Sequence, residues 1–102
     1  MPLTQEQKKQ YKSIGHHLKP VVTIANNGLT EGVTAELERA LSDHELIKIQ
    51  LRITVREDRL AVISELCKNA KSELVQVIGK MALIYRKNPQ VNKQLSNVSR
   101  HV

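Results

Sequence analysis

Alternation of apolar and polar residues marks one segment of the chain as a β-strand. The segment 47–53 reads IKIQLRI, in which every second residue is apolar. Successive side chains of a strand point to opposite faces of the sheet, so the pattern predicts one buried face and one face in water. Less regular patterns rich in β-branched residues predict three more strands, over 21–25, 74–78 and 81–86.

Helical periodicity predicts a first helix from Gln5 to about Ile14. Thr4 and Gln7 have the spacing of a capping box, in which each side chain accepts a hydrogen bond from the backbone N–H of the other residue. Gly15 follows as a stop signal. Tyr11 and Ile14 lie at helical spacing and are expected to face the core.

Two further helices are predicted on the same grounds. The second begins after Thr30, a favourable N-cap, and ends at Asp43-His44. The third starts near Asp58, and its apolar stripe is expected to bury Leu60, Ile63, Leu66, Cys67 and Ala70.

The predicted order of elements is α-β-α-β-α-β-β. Gly79-Lys80 has glycine first, as a type II′ hairpin turn requires, so strand 4 should run antiparallel to strand 3. The fold class is therefore α+β (an α/β two-layer arrangement) with a four-stranded mixed sheet. Residues 1–87 are expected to form the domain, and residues 88–102, which lack a sustained apolar period, a flexible basic C-terminal tail.

Composition limits the chemistry that the chain could carry. There is no Trp or Phe, so the core must be aliphatic, and no apolar run is long enough for a membrane span. The single Cys67 cannot form an internal disulfide, which favours a reducing, cytoplasmic location. We expect no membrane partner and a monomer.

Candidate catalytic groups have simpler structural explanations. His16 and His17 are adjacent, so on a helix they point about 100° apart and cannot clamp one metal ion. Cys67 sits on an apolar stripe, where a thiol is unreactive. No phosphate-binding motif of the GxxxxGK[ST] kind is present. The sequence predicts a protein that is not an enzyme and has no cofactor and no metal.

Positive charge is concentrated at the two ends of the chain. The net charge is +6, from 16 Lys and Arg against 10 Asp and Glu. Residues 1–20 carry +3, residues 21–79 carry −2 and residues 80–102 carry +5. Surplus lysine can be ordinary solubilising surface, but segregation by sign favours a polyanionic partner, particularly if the ends meet in the fold.

The segment Ala25-Asn26-Asn27-Gly28-Leu29-Thr30 joins a predicted strand to the start of a helix. Unpaired N–H groups and the helix dipole favour an anion there, and a loop with small side chains lets a sugar-phosphate backbone approach closely. Alone, such a loop equally fits a plain connector. Together with the basic ends, it favours an anion site.

Three segments, LKPVVTIANNGLTEGV, ELIKIQL and QVIGKMALIYRK, resemble the CRM domain, the chloroplast RNA splicing and ribosome maturation module. The resemblance extends over about residues 3–87 and is strongest to the free-standing bacterial form, the YhbY-type RNA-binding protein. It implies a fold similar to the C-terminal domain of translation initiation factor three. It also implies binding to RNA, specifically ribosomal RNA in precursors of the large ribosomal subunit.

The resemblance also implies site residues. The family's GxxG loop corresponds to Ala25-Asn26-Asn27-Gly28, with alanine in place of the first glycine, and Lys19, Lys80 and Arg86 match the family pattern. Together with the charge pattern, which adds the stripe on the first helix and the basic C-terminal end, this gives the residues expected to contact RNA through phosphates or the loop: Lys8, Lys12, Lys19, Asn26, Asn27, Gly28, Thr30, Lys80, Arg86 and Lys87.

Two other function classes stay open. One is a protein–protein adaptor on ribosome-assembly particles, whose basic face would meet an acidic protein. The other is a DNA-binding module, which ranks last because Glu31, Glu36 and Glu38 on the second helix would be repelled from a groove.

Overall fold

The predicted order of helices and strands is confirmed in the structure, a computed structural model that describes residues 3–98. The elements are α1 Gln5–Gly15, β1 Pro20–Ile24, α2 Glu31–His44, β2 Leu46–Leu51, α3 Arg56–Asn69, β3 Glu73–Ile78 and β4 Met81–Tyr85. Both helix caps expected from the sequence are present. Thr4 and Gln7 form the capping box of α1, and the Thr30 side chain accepts a hydrogen bond from Val33 N in α2.

The four strands form one mixed sheet in the order β1-β2-β4-β3. β1 pairs with β2 in parallel, and β4 is antiparallel to both of its neighbours. The last strand in sequence is thus inserted between β2 and β3, and it returns through the Gly79-Lys80 turn. Of these two residues only Gly79 has a positive φ, +55°, which is the pattern of a type II′ turn.

The α+β class is confirmed, but the layering differs from the two layers expected, because helices pack on both faces of the sheet. Ile47, Ile49 and Leu51 of β2 pack with α2 and α3, whereas Leu46 of the same strand packs with Tyr11 of α1. β2 therefore has no face wholly in water, and Lys48 is half-buried. Alternation revealed the strand but could not show that α1 would cover part of its polar side.

The third helix departs from its predicted limits. It begins at Arg56, two residues before Asp58, and its N-cap Val55 makes no side-chain cap hydrogen bond. Leu60 is 42% exposed rather than buried, while Ile63, Leu66 and Ala70 are in the core as expected.

A buried carboxylate organises the turn from α2 into β2. Glu45 is 6% exposed and has φ 60°, and its backbone carbonyl accepts a hydrogen bond from Arg86 N. Its carboxylate accepts hydrogen bonds from Ser96 Oγ at 2.7 Å and from Asn88 N at 2.8 Å. A glutamate at the end of α2 therefore holds the segment after β4 in place by hydrogen bonds.

These contacts correct the expectation of a detached C-terminal tail for residues 88–98. Ser96 is fully buried and Asn97 is 6% exposed. Asn97 donates from its side chain to the carbonyl oxygen of Leu46 and from its backbone to that of His44. Polar side chains hold this segment, which explains why a search for apolar periodicity missed it. Residues 99–102 of the predicted tail lie outside the described residues.

The docking of this segment can be tested with Ser96→Ala. The change removes the hydroxyl donor from a buried carboxylate oxygen, so we expect the free energy of unfolding to fall by about 1–3 kcal/mol. Chemical denaturation measures the change. Ser64→Ala, on the exposed side of α3, is the matched control and should change stability by less than about 0.5 kcal/mol. Equal stability of both variants would show that the segment does not pack on Glu45.

Candidate nucleic-acid interface

The loop between β1 and α2 is a tight turn with exposed side chains. Gly28 N donates to the carbonyl oxygen of Ala25 at 2.9 Å, which closes the turn, and Gly28 has φ +72°. That backbone angle is inexpensive only for glycine. Asn26 and Asn27 occupy the two central positions and are exposed. The turn therefore presents two amide side chains to solvent and no bulky group.

The N-terminus of α2, which follows the turn, carries the positive end of the helix dipole, and a nearby carboxylate partly cancels it. Thr30 is occupied as the N-cap of α2, because its hydroxyl accepts from Val33 N at 3.2 Å. The N–H groups of the first turn have no intrahelical acceptor, and the helix dipole favours an anion beside them. Glu31 lies in the same first turn and opposes an anion. The attraction must therefore come largely from neighbouring cations.

Two basic residues lie beside the turn, at the same end of the sheet. Leu51 N donates to the carbonyl oxygen of Lys80 at 2.7 Å, and Arg52 N donates to that of Ile24 at 2.8 Å. The side chains of Lys80 and Arg52 are both exposed. Sequence reasoning selected Lys80 but missed Arg52, which belongs to the part of the chain with net negative charge. The available signal was that Arg52 directly follows β2. If β2 runs parallel to β1, the residues after the two strands lie at the same end of the sheet. We refer to the turn 25–30 with Arg52 and Lys80 as the loop end of the sheet.

The other predicted cations lie away from the loop end. Tyr85 pairs with Leu46, the first residue of β2, so Arg86 and Lys87 follow at the opposite end. The five steps along β2 separate the two ends by about 17 Å. At this opposite end the two basic chain ends meet, as the charge count suggested they could. Between them lies a groove of about 560 Å³. Its lining residues are Leu3, Thr4, Gln7, Lys71, Glu73, Tyr85, Arg86 and Lys87.

The remaining three predicted cations belong to the N-terminal part of the chain. Lys8 and Lys12 lie on α1, and Lys12 is exposed. This helix crosses the face of the sheet opposite to α2 and α3, which we call the second face. Lys19 is exposed and precedes Pro20. Pro20 is the first residue of β1 and pairs with Lys48, so Lys19 lies at the end of β1 away from the turn. The predicted residues thus do not form one surface: one set lies at the loop end, and the other cations are spread over the opposite end, α1 and the start of β1.

Arg86 has a structural role that its sequence position did not reveal. Its guanidinium donates to the Glu38 carboxylate at 2.8 Å, to Ser42 Oγ at 3.0 Å and to the carbonyl oxygen of Ala70 at 3.0 Å. It therefore ties α2 to the end of α3. This is the one ion pair in residues 3–98. The other Lys and Arg side chains of that range carry charge that no carboxylate within residues 3–98 neutralises at contact distance.

The two tyrosines are held inside the fold. The rings of Tyr11 and Tyr85 lie 4.8 Å apart between centroids and tilt by 39°. Burial, followed by the hydrogen bond with Tyr11, raises the pKa of Tyr85 above its ordinary value, so the phenol stays protonated. Tyr11 is 6% exposed and presents no face to a base, whereas Tyr85 is half-buried and lines the groove at the end of the sheet away from the turn.

Residues with possible catalytic or metal chemistry are dispersed. Burial raises the pKa of the Cys67 thiol, which packs against the core, so its reactive thiolate form is disfavoured. In the described part of the chain, no three His, Cys, Asp or Glu side chains are grouped so that they could hold a metal ion. None of the helices there is long and apolar enough to cross a membrane.

Comparison with known proteins places this geometry in context. The family model of the CRS1/YhbY (CRM) domain matches residues 3–86. A Pseudomonas aeruginosa protein named as a probable RNA-binding protein is 70% identical over 98% of this chain and 96% of its own length. A Haemophilus influenzae protein named as an RNA-binding protein is 42% identical over 91% of this chain and 94% of its own.

A solved structure has the same fold. The solution structure of a Staphylococcus aureus protein, described as a candidate RNA-binding protein, superimposes with a TM-score of 0.78. It is 33% identical, and the match covers 92% of this chain and 97% of that one.

The structural role of Arg86 predicts the outcome of Arg86→Ala. Loss of the guanidinium leaves the carbonyl oxygen of Ala70 and the hydroxyl of Ser42 without a donor, so unfolding should become about 1–3 kcal/mol easier. The neighbouring exposed Lys87 provides the control, and Lys87→Ala should remain within about 0.5 kcal/mol of wild type. Both values come from thermal or chemical denaturation. An Arg86→Ala protein as stable as wild type would leave Arg86 free for a role in binding only.

Proposed function

The chain belongs to the CRS1/YhbY (CRM) domain family, and on that premise we propose that it is an RNA-binding protein of ribosome assembly. Its ligand in this proposal is ribosomal RNA in precursors of the large ribosomal subunit. The observation that carries the proposal is the loop end of the sheet, where an exposed, side-chain-poor turn lies beside two exposed cations, Arg52 and Lys80, neither of which forms an ion pair within residues 3–98. The names of the relatives, given above, support the same ligand class.

The chemistry of binding is electrostatic and directed at the RNA backbone. Lys80 and Arg52 neutralise phosphates, and counterions released from the RNA supply much of the free energy. The turn at Asn26-Asn27-Gly28 lets a phosphate approach the backbone, and the two amides can bond to phosphate oxygens or base edges. Lys8, Lys12, Lys19 and Lys87 extend the positive surface, while Arg86 acts by holding α2 against α3.

Recognition by shape favours folded ribosomal RNA over a short sequence motif. With both tyrosines packed together, aromatic stacking contributes little, whereas backbone and 2′-hydroxyl contacts remain available. In this proposal the protein acts in the cytoplasm as a monomer, without cofactor and without catalysing a reaction. A protein–protein adaptor would bind the same particles through an acidic protein, and its association would survive RNase treatment.

Salt dependence tests the electrostatic part of the proposal. With about five phosphate contacts on single-stranded RNA, a plot of log affinity against log salt concentration should have a slope of about −3 to −4. Fluorescence anisotropy with a labelled ribosomal RNA fragment measures it. A slope near zero contradicts the proposal that basic side chains provide the affinity.

Asn27→Asp tests the loop separately from the fold. A negative charge before α2 suits the helix dipole, worth about 0.3–1 kcal/mol, so the variant should be at least as stable as wild type. The same charge repels phosphate, and we expect the affinity for ribosomal RNA to fall at least tenfold, about 1.4 kcal/mol.

The matched control makes the same chemical change away from the loop. Asn92 is exposed, and its Oδ1 accepts from Gln94 N at 2.9 Å, a bond that aspartate preserves. Asn92→Asp should therefore keep nearly wild-type affinity. A folded Asn27→Asp protein with wild-type affinity would make the loop a simple connector. Crosslinking in cells followed by sequencing of the bound RNA tests whether ribosomal RNA is the ligand.

A further inference from the structure

The second face of the sheet is only half covered by α1. The helix ends at Gly15, so close to Leu83 that a Cβ at Gly15 would lie 2.5 Å from a Leu83 methyl. Leu83 is in the middle of the sheet, paired with Lys48 on one side and Gln76 on the other. Beyond this row, toward the loop end, no helix covers the face in the described residues.

An open groove of about 260 Å³ lies where the helix stops. The lining residues are Gly15, His16, Lys48, Gln76, Ile78, Met81, Ala82 and Leu83. The surface that they expose is mainly apolar, and Ile78 is 57% exposed.

The polar residues of this groove lack partners inside the protein. Lys48 and Gln76 are half-buried, one on each side of Leu83, and within residues 3–98 neither side chain makes a hydrogen bond or an ion pair. None of the eight lining residues is acidic. The groove therefore combines an apolar floor with a cation and with an amide that can both donate and accept.

The groove is continuous with the loop end. Across the sheet, Ile78 pairs with Met81, Met81 with Gln50, and Gln50 with Thr23. This row spans three strand spacings, about 14 Å, and reaches β1 one residue before its end. Lys80 and Arg52 lie next to this row, at the loop end of the sheet. A ligand chain that contacts the turn 25–30 can thus extend over the open half of the face.

On the basis of the RNA-binding function proposed above, we infer that this groove holds an unpaired nucleobase of single-stranded RNA whose phosphates contact Lys80 and Arg52. The flat base lies on Ile78 and Met81, and the Gln76 amide and Lys48 amine bond to its polar edge. The occupant is small, because drug-sized sites have about 300–1,000 Å³. A peptide strand would pair with the backbone of an edge strand such as β3, whereas this groove offers side chains on the face of the sheet, so a peptide strand is disfavoured.

The test compares two labelled probes of equal charge by fluorescence anisotropy. One is a ten-nucleotide oligouridine, and the other is an abasic ribose-phosphate oligomer of the same length. If a base occupies the groove, wild type should bind the probe with bases about tenfold more tightly. Equal affinity of wild type for the two probes would overturn the inference while leaving the proposed RNA binding intact.

Two variants on β3 assign the preference to one face. Ile78→Glu places a carboxylate in the groove and should remove the preference for bases. Val77→Glu makes the same charge change on the opposite face, beside Arg56 and Arg59, and should retain it. Both positions are exposed, 57% and 37%, so both variants should fold, which thermal melting verifies. If the two variants change the base preference equally, the effect comes from the added negative charge and not from its position in the groove, and the inference is overturned.

The remaining outcomes separate this inference from the proposed function. Asn27→Asp should weaken binding of both probes and leave their ratio unchanged. If wild type binds neither probe nor ribosomal RNA, the proposed function fails, and the inference fails with it. If sedimentation shows a wild-type dimer that Ile78→Glu dissociates, a second copy of the chain covers the groove and the nucleobase is excluded.

Discussion

The insertion of β4 between β2 and β3 is the constraint on which the rest of the structure depends. Ala82, Leu83 and Ile84 point alternately to the two faces, yet they are 2%, 4% and 0% exposed. A central strand that is apolar on both sides must be covered on both sides, because each exposed aliphatic side chain would lose about 1.5–3 kcal/mol of burial. α2 and α3 supply one cover and α1 the other. The helix–sheet–helix arrangement is thus a consequence of the composition of β4.

The same insertion assembles the candidate interface. β1 and β2 are parallel, so the turn after Ile24 and the residue Arg52 after β2 reach the same end of the sheet. β4 is antiparallel to β2, so its hairpin delivers Lys80 to that end as well. α1 has 11 residues and ends above Leu83, so it is too short to cover the whole second face. The cations and the open groove are therefore products of one topology.

Charged residues in this protein serve the fold as well as the surface. Glu45 adopts a sparsely populated backbone conformation, which costs about 1–3 kcal/mol, and its hydrogen bonds to Ser96 and Asn88 help to offset that cost. Arg86 bonds to two helices through one guanidinium. Both residues lie at the end of the sheet away from the turn. Charge counts alone could not separate these structural ions from the solvent-facing lysines.

The sequence by itself determined the local structure: the capping box at Thr4, the N-cap at Thr30, the type II′ turn at Gly79 and the alternation of β2 all depend on near neighbours. The strand-to-helix pattern singled out the loop at Asn26-Asn27-Gly28, and the family resemblance supported it as a binding site. Only the tertiary structure decided which strands are adjacent, that α1 covers a second face, that residues 88–98 bind Glu45, and that Arg52, Lys48 and Gln76 border the candidate site. These features arise from contacts between residues far apart in the chain, and such contacts leave no periodic signal in the sequence.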